Sequence, residues 1–119
     1  MGIWVGEPAL GESETVVWKQ NANRTQSGAR AAGGRLYLTG TRLLFEPNRL
    51  DAISGGQRWS ASLDQIRGAD SQSPDGRPFS GGMRTRLRLA LADGTAELFV
   101  VNKLSDVIKT IQEAITRSG

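Results

Sequence analysis

Two groups of basic side chains are the only residues in this 119-residue chain whose types and spacing suggest chemistry. Lys19, Arg24, Arg30 and Arg35 fall around one glycine-rich stretch, where ammonium and guanidinium groups gathered on a loop would hold an anion. The alternative is that they form a solvated surface. Arg84, Arg86 and Arg88 alternate with Thr85, Leu87 and Leu89, so on a strand all three would point to one face. That face suits a partner protein or an anionic surface, or else a solubilising edge with arginine stems lying over apolar neighbours. Catalytic groups are scarce. The chain has no His and no Cys, which removes the commonest general base, the commonest metal ligand and the thiol nucleophile together. Asp64, Asp70, Asp75 and Asp93 stand beside turns, where Asp bonds the local backbone, and none is spaced for an acid–base couple or a metal. No enzyme activity, cofactor or metal is expected.

Residues 28–35, G-A-R-A-A-G-G-R, have the glycine content of a phosphate loop but lack its Lys and its Ser or Thr. A strand rather than a helix follows, so no helix N-terminus is offered to a phosphate and a nucleotide site is excluded.

These residues are positioned by a set of short strands. Residues 34–47, G-R-L-Y-L-T-G-T-R-L-L-F-E-P, alternate apolar and polar positions on both sides of Gly40-Thr41. A β-hairpin is predicted, with Leu38 facing Leu43, Leu36 facing Phe45, and Gly40 opening a type II′ turn. Strands are also predicted at residues 14–22, with Val16 and Trp18 on one face, at 57–63, with Trp59, Ala61 and Leu63 inward, and at 66–72. The polar, glycine-rich residues 24–34 read as a long loop, with ragged strand extensions as the alternative. Residues 73–83 should form the most mobile loop. Asp93-Gly94 marks a second hairpin between strands at 84–92 and 95–101. A two-residue turn there sets Leu89 against Leu98 and Leu87 against Val100, both inward. Arg88 then faces Phe99 and Arg86 faces Val101 on the exposed side. Leu104, Val107, Ile108, Ile111 and Ile115 recur at helical spacing over residues of about 103–117, with Asn102 or Ser105 available as a cap. Burying those five side chains stabilises by about 8–15 kcal/mol gross, so the helix belongs to the fold. Trp4, Trp18 and Trp59 are read as packing residues.

At this length one domain is expected, with an irregular lead-in at 1–13, a barrel at 14–101 and the helix. Fifteen Gly and four Pro favour many turns and a β-rich chain. The net charge is only +3, too little for a nucleic-acid footprint. No run of twenty apolar residues exists, and the start lacks the pattern of a signal peptide, so a cytoplasmic location is the expectation. Twelve Arg against three Lys hint at a GC-rich bacterial source. The expected architecture is mainly β with one helix: about seven antiparallel strands in two small sheets, closed into a barrel or sandwich with the helix over an open end.

That order resembles the pleckstrin-homology (PH) superfold, and in finer detail its GRAM branch and related bacterial PH-like domains. The resemblance spans residues of about 10–117. It rests on an opening acidic-apolar strand (14–18), a Gly-x-Leu-x-Leu-Thr-x-x-Arg-Leu-x-Phe hairpin (34–45), a Gly-rich turn with a Trp strand (55–66), and the Asp-Gly hairpin, Phe-Val strand and final helix (93–115). It implies a seven-stranded antiparallel split barrel of two roughly orthogonal sheets, capped by the C-terminal helix, and a binding role. The expected function is an adaptor module for a protein partner or for self-association, through Arg84, Arg86, Arg88 and Phe99. The alternative is peripheral binding of anionic lipid head groups through Lys19, Arg24, Arg30 and Arg35, at the inner membrane face. Lipid-binding PH domains carry a Lys and then a basic-x-Arg step on the first hairpin. Lys19 matches the former, but Leu36 and Tyr37 follow Arg35, so the step is absent.

Overall fold

The computed structural model describes residues 10–11, 14–27, 30–49, 55–74 and 84–118. The expectations for Trp4, Asp75 and most of the 73–83 loop lie outside the described residues. The seven strands are β1 (Val16–Ser27), β2 (Arg30–Thr39), β3 (Arg42–Pro47), β4 (Trp59–Ser62), β5 (Ile66–Gln72), β6 (Arg86–Leu91) and β7 (Ala96–Val101), followed by helix α1 (Leu104–Ser118). All pairings are antiparallel, in the order β4-β3-β2-β1-β7-β6-β5. The two halves of the split barrel join through β1 and β7, where Ala22 pairs with Val101 and Arg24 with Phe99.

The β2–β3 hairpin has the register its alternation dictates: Leu36 opposite Phe45 and Leu38 opposite Leu43, all four essentially fully buried. Its turn differs from the type II′ expectation, because Gly40 does not take a positive φ. The Thr39 hydroxyl organises the turn instead, accepting the N–H groups of Thr41 (3.2 Å) and Arg42 (3.1 Å). The long loop expected at 24–34 is corrected to paired strand. β1 and β2 pair from Val16 with Thr39 to Ser27 with Arg30, because ladder bonds need only backbone and small residues such as Ala32 pack there fully buried.

The second hairpin is shifted by one residue. Gly94 donates to the Leu91 carbonyl (3.0 Å), Leu91 donates to the Thr95 carbonyl (2.9 Å), and Gly94 has φ 89°. This is a three-residue loop with a bulge glycine in place of a two-residue turn. Leu87 therefore faces Phe99 and Arg88 faces Leu98. A one-residue slip exchanges the faces of a strand. Phe99 and Val101 join the core face in place of Leu98 and Val100.

One apolar cluster results, with Leu87, Leu89 and Phe99 meeting the hairpin row and Val107, Ile111 and Ala114 of α1. Leu104, Ile108 and Ile115 pack at its margin, as do Trp18 and Trp59. The helix begins after Lys103, whose carbonyl accepts from Val107 N, so neither Asn102 nor Ser105 occupies the capping position. Gln112 Nε2 donates to the Ala69 carbonyl of β5 at 2.8 Å, satisfying an acceptor on an end strand of the sheet.

Candidate functional site

The polar residues of the hairpin motif form a structural knot. The Glu14 carboxylate accepts both Nε and Nη2 of Arg42 at 2.8 Å, the Thr39 hydroxyl at 2.7 Å, the Thr41 hydroxyl at 3.2 Å and the Gly11 N–H at 2.9 Å. The Arg42 fork and then the Gly11 amide hold the Glu14 pKa at about 2, against the opposing effect of burial. The acidic start of β1 and the Thr-x-x-Arg step are thus one ion-pair clasp tying the lead-in to the first hairpin turn. With its folded pKa below the ordinary 4.5, Glu14 contributes stability that is complete above about pH 4.5 and fades as pH falls towards 2. Glu14→Gln is expected to cost about 1–3 kcal/mol at pH 6, with the gap to the native chain closing between pH 4.5 and 2. Urea denaturation at stepped pH measures it, and a gap that stays constant down to pH 2 would refute this role.

The turn aspartates also act locally. Asp93 accepts the Thr95 hydroxyl (2.6 Å) and N–H (2.9 Å), which hold its carboxyl below its usual range. Asp64 accepts the Ser62 hydroxyl; Asp70, expected beside a turn, instead lies within β5 opposite Arg88 and accepts the Ser71 N–H.

The exposed arginine–phenylalanine face expected from the sequence is not present. Phe99 is fully buried, its ring centroid 5.7 Å from those of both Phe45 and Trp59. Arg86 is only 1 % exposed and donates to the Thr25 hydroxyl of β1 at 3.1 Å. Arg88 is half-buried, and Arg84 alone of the three is exposed. The register shift moved Phe99 inward, and the elongated β1 supplies the partner that Arg86 meets.

The first basic group is also dispersed. Arg24 is ion-paired to Glu97 at 2.8 Å, with 13 % of its side chain exposed. Arg30 has its backbone in β2 opposite Ser27, and its side chain lies outside the described residues. Lys19 is exposed on β1, and Arg35, opposite Asn21, donates to the Asn21 side-chain oxygen at 3.2 Å.

What the fold brings together is one member of the second group and two of the first. A cleft of about 280 Å³ lies where β2, β1 and β7 run side by side. Its floor includes Gly33 and Gly34, paired with Asn23 and Ala22, and Arg35 and Arg84 line it. Four carboxamides line it as well: Asn21, Asn23, Asn48 and Asn102. A second groove of about 310 Å³ shares Asn21, Arg35 and Asn102 with the first and adds Lys19. No carboxylate lines either one among the described residues. Gly34 is required here, since a Cβ would press against the Glu46 carbonyl oxygen and come within 2.7 Å of Pro47 Cα. The asparagines escaped the sequence reading because they are scattered from position 21 to 102. The alternation of Asn21 and Asn23 on one strand face was the only local signal.

Among the described residues no group of acidic side chains is placed to hold a metal, and no helix is long and apolar enough to cross a membrane. No family model matches the chain, and no curated protein matches it. Solved structures do. The C-terminal domain of an unknown protein from Leishmania infantum superposes with a TM-score of 0.65 at 13% identity, over 87% of this chain and 85% of that one. The Vps36 N-terminal PH domain gives 0.63 at 18%, over 97% and 92%. The hSac2 domain of the human phosphoinositide phosphatase Sac2 gives 0.67 at 12%, over 92% and 75%. The chain therefore has a PH-like fold: seven antiparallel strands in a split barrel, closed by a C-terminal helix.

Proposed function

We propose that this chain is a non-enzymatic PH-like binding module that takes a protein partner through the Lys19–Arg35–Arg84 trough. The observation that carries the proposal is the gathering of three cations and four asparagines along one polar trough with no described carboxylate in its lining. Such a surface attracts an acidic partner and offers it both donors and acceptors. Three basic residues near an anionic membrane contribute only about 3 kcal/mol, too little for stable anchoring. The head-group reading draws support from the neighbour whose parent protein is a phosphoinositide phosphatase, and it would use the same trough. The hairpin motif at 34–45 favours the GRAM branch of the fold, and the proposal carries with it a cytoplasmic setting, in a bacterial cell.

An Arg35→Glu, Arg84→Glu variant should keep its circular dichroism spectrum and lose at least about tenfold, or 1.4 kcal/mol, in affinity for whatever the native chain captures by cross-linking. Neither form should sediment with vesicles in a manner that depends on anionic lipid. Equal capture by both forms would reject the trough, and pelleting only with anionic vesicles would move the assignment to lipid.

A further inference from the structure

We infer that the trough holds an extended acidic peptide segment, pairing its backbone with asparagine carboxamides and its carboxylates with the cations; this rests on the protein-partner reading above. The arrangement of the cations excludes a compact ligand first. Lys19 lines only the outer groove, Arg84 only the inner one, and Arg35 both, so the charges are strung out rather than converged on one point. From Lys19 to Asn23 the trough follows β1 for about 13 Å, the length of four or five extended residues. A phosphate would need the cations together, whereas carboxylates spaced along a peptide would meet them in turn.

The carboxamides decide the rest. An Asn side chain carries a carbonyl acceptor and two N–H donors, the same pair of groups as a peptide bond, and can bond a peptide unit at both ends. Asn23 and Asn102 are exposed on the trough wall. Asn21 has a positioning role as well, since its oxygen accepts Arg35 Nε at 3.2 Å. Gly33, which shares the trough face with Asn23 and Arg35, carries no side chain, which leaves room for a second backbone to lie close.

The test is an isotope-resolved titration of the full chain with four probes: a seven-residue Glu–Ser peptide, a Lys–Ser peptide of equal length, inorganic phosphate, and phosphatidylcholine vesicles containing phosphatidylglycerol. The acidic peptide alone should shift the amides of Lys19, Asn21, Asn23, Arg35, Arg84 and Asn102. The charge-neutral Asn23→Ala, Asn102→Ala variant should weaken it at least fivefold, and Arg84→Gln to a similar degree. Asn23→Ser, which leaves the helix entry untouched, should show the same direction. Undiminished binding in both asparagine variants would overturn peptide pairing while leaving the trough as the docking site. Tighter binding of phosphate or vesicles at these amides would also overturn it. Should no probe shift these amides, both this inference and the reading beneath it fall.

Discussion

Replacing Phe99 by Ala is expected to cost about 3–5 kcal/mol, the penalty for emptying a large aromatic site in a closed core. The ring has no exposed surface and packs against Phe45 and Trp59, so β7 meets the paired strands β3 and β4 of the other half of the barrel on it. Small domains have only about 5–15 kcal/mol in total, so the variant should be partly unfolded at ordinary temperature or lose most of its denaturation midpoint. Guanidinium denaturation followed by tryptophan fluorescence reads the effect directly. Arg84→Ala is the control; exposed at the trough mouth, it should change stability by less than about 0.5 kcal/mol. A loss below about 1 kcal/mol for Phe99→Ala would return this side chain to the surface and restore the two-residue turn that its burial excludes.

A single methyl group should do comparable damage at position 34. Gly34→Ala puts a Cβ against the Glu46 carbonyl and 2.7 Å from Pro47 Cα, and both obstacles are backbone. Flexible side chains can move aside, but here β2 and β3 must separate, breaking the pairing of Gly34 with Pro47 beside the hairpin's core row. A loss of about 3 kcal/mol or more is expected, at the upper end of overpacking effects. Gly40→Ala, six residues along the same hairpin, provides the contrast. Nothing lies within 4 Å of its Cβ and its φ is not positive, so the change should stay within about 1 kcal/mol. Equal costs at the two positions would show that the close strand approach at Gly34 is not what demands glycine.

The register error in the second hairpin shows where reading a sequence reaches its limit. Asp-Gly suits a two-residue turn, and it suits equally a three-residue turn with glycine at the bulge. Alternation normally chooses between them, as it does in the first hairpin, where Arg35, Tyr37, Thr39, Arg42 and Glu46 flank the row of Leu36, Leu38, Leu43 and Phe45 and Leu44 is the one aliphatic residue on the opposite face. Residues 98–101 read Leu-Phe-Val-Val, apolar on both faces, so over these four residues either register presents apolar side chains to the core, and Glu97, which the observed register turns to the face of Phe99, is paired with Arg24. The choice falls to packing, and Phe99 fits between Phe45 and Trp59.

By itself the sequence determined the local terms: the order of strands and helix, the first hairpin's register, the apolar face of α1, and the local bonding of Asp64, Asp70 and Asp93. Those depend on neighbours a few residues apart, where alternation, helical period and turn chemistry act directly. Only the tertiary structure decided that Arg86 is buried against Thr25, 61 residues away, and that Arg24 is neutralised by Glu97, 73 residues away. It also decided that Lys19, Arg35 and Arg84 share one trough with asparagines from three parts of the chain. That site is created by β1 lying between β2 and β7, a pairing whose side-chain neighbours no local pattern encodes.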